Sequence, residues 1–98
     1  MALNKEPRKY YLICYDICES KKRTKLAKKL KDFGVRVQKS VFEAFLTEDK
    51  YKEMVELVSP FATENDSIRI YPLTNSSYNS KTIVGNQYNY LPLKDIII

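Results

Sequence analysis

The stretch VRVQKSVFEAFL (residues 35–46) determines how the rest of the chain is divided into elements. It is extended in character but about twice as long as an ordinary strand of roughly five or six residues. Its apolar residues also change phase, because the valines have odd numbers whereas Phe42, Ala44 and Leu46 have even ones. Side chains of a strand alternate between two faces, so a phase change requires a bulge or a tight turn. The stretch therefore predicts two strands that meet around residues 38–40.

An amphipathic helix is predicted before this pair of strands. Leu26, Leu30 and Phe33 lie at i, i+4 and i+7 and form one apolar stripe. Ser20 is the predicted N-cap, and Gly34 is the predicted left-handed stop. Basic residues occupy the remaining circumference: Lys21, Lys22, Arg23, Lys25, Lys28, Lys29 and Lys31.

A second helix is predicted after the pair of strands. Thr47 is its expected N-cap, with Glu48 and Asp49 at the positive end of the helix dipole, and Pro60 closes it. Its apolar stripe recurs at helical spacing. The stripe consists of Tyr51, Met54, Val55 and Val58.

The remaining strands complete a β-α-β-β-α-β order. Residues 10–15 are a continuous apolar run, which favours a strand that is covered on both faces. Ser67–Leu73 alternates as a strand, and Pro72 places it at an edge or an end. A polar loop over 74–80 and short strands over 81–84 and 95–98 are expected to follow. The pattern predicts an α+β, ferredoxin-like domain with an additional C-terminal strand.

Length and composition indicate one soluble domain. The 98 residues are too few for two cores, and no apolar run approaches the roughly 18 residues of a membrane span. We expect a basic arm over 1–9, a domain over 10–98, and a cytoplasmic protein without membrane contact. Seventeen basic against twelve acidic residues give a net charge of +5, which favours nucleic acid or an acidic surface as a partner.

The residue types present limit the chemistry. There is no histidine, and the two glycines, Gly34 and Gly85, cannot form a glycine-rich phosphate loop. Phosphodiester cleavage would therefore need a hard cation held by carboxylates. Asp16, between the first strand and the first helix, is the candidate ligand. An acidic residue at such a place is more often a turn or capping residue, and that alternative stays open here.

The two cysteines, Cys14 and Cys18, are interpreted as reduced thiols. A structural zinc site needs four nitrogen or sulfur ligands, and the chain offers neither histidine nor a second cysteine pair.

Four ordered segments resemble the CRISPR-associated protein two family. They are Tyr15-Asp16-Ile17, then Lys22-Arg23, then GVRVQKSVFE (34–43), then IRIYPL (68–73). The segment 36–43 is the most specific of them. The resemblance implies a homodimer in which two sheets pack face to face and each C-terminal strand reaches the partner protomer.

The same resemblance implies the site and its partners. Asp16 from both protomers would hold magnesium or manganese and cut single-stranded RNA or double-stranded DNA. Where an aspartate is frequent in the family, this chain has Cys18-Glu19-Ser20, so Glu19 is the available substitute for a second acidic ligand. The protein would also bridge dimers of the CRISPR-associated integrase during spacer acquisition.

Further residues receive roles from the motif, each beside a plainer alternative. Ser40 is expected in the catalytic cleft, and Phe42, Ile96 and Ile97 in dimer packing, with turn and core positions as the alternative for the first two. The expected nucleic-acid contacts, which would otherwise be solvated side chains, are Lys22, Arg23, Lys28, Arg36 and Lys39.

Two other functions remain open at this point. The first is a non-catalytic structural adaptor that holds duplex DNA in the acquisition complex. The second is a toxin-like, RNA-cutting relative outside CRISPR, which the segment 36–43 disfavours.

Overall fold

The computed structural model describes residues 6–85. Glu6 to Arg8 precede the first strand without regular structure, and Lys9 already belongs to that strand rather than to an arm. The elements are β1 (Lys9–Asp16), α1 (Ser20–Leu30), β2 (Gly34–Gln38), β3 (Val41–Leu46), α2 (Glu48–Val58), a 3₁₀ turn (Ser59–Phe61), β4 (Ser67–Leu73) and α3 (Asn75–Asn79).

The four strands form one sheet in the order β2-β3-β1-β4, with every neighbouring pair antiparallel. This is the predicted β-α-β-β-α-β arrangement, and β4 lies at an edge as Pro72 indicated. Residues 35–46 divide as expected, because the β2–β3 register shifts between Arg36 and Gln38 and the chain turns at 39–40. Among residues 6–85, no helix combines the length and apolarity needed to cross a bilayer.

One face of the sheet packs against α1 and α2. The odd-numbered residues of β1 point into this core, where Ile13 is fully buried. Both predicted helical stripes contribute to it, so their periodicity identified the buried faces correctly. The largest fully buried side chains are Phe42, Ile13, Ile17, Leu26, Leu30, Met54 and Val58.

The predicted helix caps are confirmed for α2 but not for α1. Thr47 caps α2 as predicted, because its hydroxyl accepts a hydrogen bond from the amide of Lys50. Ser20 is the first residue of α1 rather than its cap, and Glu19 holds the N-cap position without a side-chain bond. Gly34 is not a left-handed stop but opens β2, where a Cβ atom would lie 2.3 Å from the carbonyl oxygen of Glu43. The small residue is required by this close approach of two strands.

The opposite face of the sheet is partly covered by α3. Tyr78 of this helix stacks on Tyr10 with ring centroids 3.8 Å apart, and Phe45 stacks on Tyr10 at 4.3 Å. The predicted loop over 74–80 is therefore wrong in its centre, because Thr74 caps a short helix that buries Tyr78. The predicted strand over 81–84 is also wrong, since these residues form no strand.

One of the three residues predicted to pack in a dimer, Phe42, lies within the described part of the chain. Phe42 is 0% exposed and lies in the core between sheet and helices, which leaves none of its surface for a partner. The core alternative is therefore the correct one. Ile96, Ile97 and the expected strand over 95–98 lie outside the described residues.

Candidate functional site at the end of the first strand

Asp16 is the last residue of β1, and its carboxylate is exposed. Its neighbours Tyr15 and Ile17 are 6% and 2% exposed, because both point toward the helices. Asp16 pairs with Ser67 at the last position of the β1–β4 register. The fold thus fixes the backbone of this residue while leaving its oxygens accessible.

The turn between β2 and β3 lies beside this strand end. The amide of Tyr15 donates to the carbonyl of Ser40 over 3.1 Å, which continues the β1–β3 pairing beyond Cys14 and Val41. The structure thereby brings Ser40, half-buried, to the same end of the sheet as Asp16. Its catalytic role stays a prediction.

One carbonyl oxygen organises this turn. The carbonyl of Lys39 accepts from the hydroxyl of Tyr15 over 3.2 Å. It also accepts from Arg36, over 3.2 Å from Nε and 2.6 Å from Nη2. The guanidinium lies 5.9 Å from the centre of the Phe42 ring. Arg36 therefore stabilises the turn, and the side chain of Lys39 is exposed. The nucleic-acid contacts of both residues stay predictions.

Arg23 is also used within the protein. Its Nη1 atom donates to the carbonyl oxygens of Ile17 and Cys18, over 2.8 and 3.0 Å. These are the peptide groups that follow Asp16. Arg23 is thus more than a solvated side chain, although the residue is exposed. Its phosphate contact stays a prediction.

Lys22 has a carboxylate partner on a distant loop. Its Nζ atom lies 2.6 Å from Oδ2 of Asp66 and 2.9 Å from the hydroxyl of Thr63. The Asp66 side chain is only 3% exposed, so the pair is largely shielded from solvent. The Lys22 ammonium, the Cys18 amide and the Thr63 hydroxyl hold the pKa of Asp66 far below its ordinary value. Lys22 therefore has an acidic partner within the chain, and its nucleic-acid role stays a prediction.

Sequence reasoning missed Asp66 entirely. The spacing of Thr63 and Asp66 permits the local bond that forms, in which the carboxylate accepts from the Thr63 amide over 3.2 Å. Nothing in that spacing indicates a partner 44 residues away. Only the packing of the α2–β4 loop beside the β1–α1 loop makes the contact.

Three of the four remaining lysines of α1 form an outward ridge. Lys21, Lys25 and Lys28 lie at i, i+4 and i+7 and are exposed. The core side of the same helix is formed by Leu26, Ala27 and Leu30. Of the contacts predicted on this helix, Lys28 is the one that lies on this ridge. We refer to Lys21, Lys25 and Lys28 as the lysine ridge.

The described part of the chain holds no group of three or more histidine, cysteine or acidic side chains that could bind a metal. Glu19 is exposed at the helix start, and both Cys14 and Cys18 are free thiols, in agreement with the prediction for the cysteines. Within residues 6–85, Asp16 therefore belongs to no such group. A complete cation site would need donors from elsewhere.

Comparison with known proteins gives a consistent family. The model of the family "CRISPR associated protein Cas2" matches residues 9–81. A CRISPR-associated endoribonuclease Cas2 of Synechocystis is 36% identical over 89 residues, which cover 90% of this chain and 97% of that protein. A protein of the same name from Mycobacterium tuberculosis is 44% identical over 64 residues. That match covers 65% of this chain and spans only 57% of the mycobacterial protein.

A solved structure supports the same comparison. One chain of a partial Cas6-RT-Cas1–Cas2 complex superimposes with a TM-score of 0.67 at 34% identity. The superposition covers 85% of this chain and 99% of that chain.

Proposed function

Because the chain belongs to the Cas2 family of CRISPR-associated proteins, we propose that it is a homodimeric, metal-dependent endonuclease that acts in spacer acquisition. The single observation that carries the proposal is Asp16, an exposed carboxylate on a fixed backbone at the end of β1. Relatives of similar length are named endoribonucleases, which supports RNA as one substrate. Duplex DNA is the second substrate class that we propose.

The donor chemistry of the site fits magnesium or manganese. Both are hard cations that prefer oxygen ligands, and magnesium commonly takes only one or two carboxylates and retains several waters. Asp16 from each of two copies would supply that number. When bound, the ion would lower the pKa of a water and neutralise charge on the phosphate.

The residues of the chain have separate tasks in this mechanism. Asp16 holds the cation, and the turn with Lys39 and Ser40 forms the adjacent wall at the same sheet end. The exposed ammonium of Lys39 is suited to a phosphate oxygen there. The lysine ridge binds the nucleic-acid backbone without reading its sequence.

A second copy has a suitable surface for sheet-to-sheet packing. The stack of Tyr78 on Tyr10 covers the open face only near the start of β1. Leu12 and Cys14 remain half-buried, and Tyr71 of β4 remains 44% exposed. Packing on this half would bring both copies of Asp16 toward the two-fold axis.

Two such carboxylates would interact strongly. At about 4 Å and an effective dielectric constant of about 20, they repel by roughly 4 kcal/mol. A divalent cation or a shared proton relieves this repulsion. The proposed dimer and the proposed metal site therefore depend on each other.

Two observations favour a structural adaptor as the second candidate. A single copy lacks a complete metal-binding group within residues 6–85, and a solved neighbour is part of a complex that contains Cas1. In this function the protein would join the integrase and hold duplex DNA on the lysine ridge. Catalysis would then be unnecessary. A toxin-like relative outside CRISPR has no such support, because the family match runs through residues 9–81.

The deciding experiment compares the wild type with Asp16→Asn. Single-stranded RNA and duplex DNA are incubated with either protein, in magnesium or in a chelator, and the dimer is checked by light scattering. Asp32→Asn, an exposed aspartate after α1, is the matched control. We expect cleavage by the wild type and control in magnesium alone, and none by Asp16→Asn. Equal cleavage by Asp16→Asn would refute the role of Asp16 as the metal ligand. No cleavage by the wild type in magnesium would refute the nuclease proposal and favour the adaptor.

A further inference from the structure

Two side chains, Arg23 and Asp66, bind backbone groups of the loop that follows Asp16. Two more side chains, those of Lys22 and Thr63, in turn bind Asp66. The four side chains come from the start of α1 and from the loop between α2 and β4, which is far away in sequence. We call this set the loop clamp; its members are Lys22, Arg23, Thr63 and Asp66.

Asp66 bridges the two loops with both of its oxygens. Its Oδ1 atom accepts from the amide of Cys18 over 2.9 Å. Its Oδ2 atom accepts from Lys22 over 2.6 Å and from the Thr63 hydroxyl over 2.7 Å. The thiol of Cys18 adds a contact of 3.2 Å to the carbonyl of Asn65. The same carboxylate thus joins one loop to the other at several points.

Arg23 holds the opposite side of the same peptides. It binds the carbonyl oxygens of Ile17 and Cys18, while Asp66 binds the Cys18 amide. Since these donors and acceptors lie immediately after Asp16, the chain cannot swing freely at the strand end.

The position of Asp66 just before β4 explains how it restricts the loop after Asp16. Asp66 directly precedes Ser67, which is the register partner of Asp16. The bond from the Cys18 amide to Asp66 therefore extends the contact between β1 and β4 two residues past the last pair. Strand ends open more readily than strand centres, so such an extension restricts Asp16 where it would otherwise fray.

From this geometry we infer that Asp66 is a positioning residue for Asp16. It fixes the β1–α1 loop so that the Asp16 carboxylate keeps a single placement at the sheet end. This inference rests on the proposed function, in which Asp16 carries the cation. Displacements of about 1 Å at a catalytic group can cost about a hundredfold in rate.

The ion pair between Lys22 and Asp66 contributes to the stability of the loop clamp. The Lys22 side chain is 27% exposed, and the Asp66 carboxylate at 2.6 Å is the counterion of its ammonium. Removing that carboxylate would leave the Cys18 amide without its acceptor and the Lys22 ammonium with the Thr63 hydroxyl but no counterion. Unpaired groups of this kind are costly, and the loop is expected to rearrange to solvate them.

The test measures the loop and the reaction separately. Amide hydrogen exchange at Ile17 and Cys18 is followed by NMR in the wild type, Asp66→Ala, Asp66→Asn and the exposed control Asp49→Asn. Single-turnover and steady-state RNA cleavage are measured on the same proteins. We expect faster exchange at Cys18 in Asp66→Ala, together with a loss of about tenfold to a hundredfold in kcat and little change in KM. Asp66→Asn retains an acceptor oxygen and should recover part of kcat.

The outcomes separate this inference from the nuclease proposal. Faster exchange at Cys18 with unchanged kcat would overturn the positioning role while leaving Asp16 as the metal ligand. Unchanged exchange would overturn the clamp itself. If no protein in the series cleaves RNA, including the wild type, the nuclease proposal fails; exchange then reports on the clamp alone. Should Asp66→Ala not fold, Thr63→Val and Lys22→Gln test the same contacts, with the same two readouts and the same interpretation.

Discussion

The Nζ atom of Lys22 lies 2.6 Å from Oδ2 of Asp66, whereas its neighbour Lys21 points outward from the same helix. Two adjacent lysines of one basic segment thus have different physical roles. Lys22 joins two loops, and Lys21 belongs to the lysine ridge. This difference can be measured.

Lys22→Gln should destabilise the fold more than Lys21→Gln. The first change removes the counterion of a largely buried carboxylate, whose pKa is lowered by that ammonium. The second change removes an exposed charge, and exposed positions usually alter stability by less than about 0.5 kcal/mol. Thermal melts at pH 7 should show a clearly lower Tm for Lys22→Gln and an almost unchanged Tm for Lys21→Gln. Equal melting temperatures would contradict the assignment of Lys22.

Duplex binding should depend steeply on salt through the lysine ridge. If about four phosphates are neutralised per protomer, a plot of log affinity against log salt has a slope near −4. Replacing Lys21, Lys25 and Lys28 together by glutamine should reduce the magnitude of that slope by about three. Fluorescence anisotropy with a labelled duplex from about 50 to 200 mM salt measures both slopes. A slope that the triple variant leaves unchanged would place the contact surface elsewhere.

Phe42→Ala should unfold or strongly destabilise a single protomer. The ring is 0% exposed, and truncation of a buried phenylalanine typically costs about 3–5 kcal/mol. Because the packing contacts that are lost lie within one chain, the urea midpoint of unfolding should fall at every protein concentration. Tyr71→Ala, at the 44% exposed position of β4, is the matched change on the open face. If the lower urea midpoint of Phe42→Ala returned to the wild-type value at high protein concentration, the result would instead favour dimer packing.

Glu43→Gln should stabilise the protein at neutral pH but not at acidic pH. Burial raises the pKa of Glu43, although Lys81 lowers it in part. A raised carboxyl pKa means that the folded state favours the protonated form, so this stability is present below the ordinary value of about 4.3 and is lost as pH rises through the folded pKa. We expect a Tm gain of a few degrees for Glu43→Gln at pH 7, and none near pH 4.

Glu56→Gln is the control for this comparison, since Glu56 is an exposed glutamate on α2. Its Tm difference from the wild type should stay the same at both pH values. A gain for Glu43→Gln that persisted unchanged at pH 4 would mean that the carboxyl charge is not the cause.

Patterns with a local physical cause were predicted correctly. The phase change in residues 35–46 gave the β2–β3 turn, and the stripe from Leu26 to Leu30 gave the buried face of α1. Thr47 was recognisable as a cap because its hydroxyl bonds only three residues ahead. The errors at Gly34 and at 74–80 have a different origin. A glycine required by a close strand contact, and a short helix that buries Tyr78, depend on distant partners.

The sequence by itself determined the order of the elements, the apolar faces and the carboxylate at the end of β1, because periodicity and capping act over a few residues. Only the tertiary structure decided which cations are free. Lys22, Arg23 and Arg36 are used by Asp66 and by backbone carbonyls, while Lys21, Lys25 and Lys28 face solvent. The physical reason is that all six side chains carry the same charge, whereas their partners depend on the folded backbone. The partner of Lys22 lies 44 residues away, and the carbonyls bound by Arg23 and Arg36 are oriented by the loop and the turn.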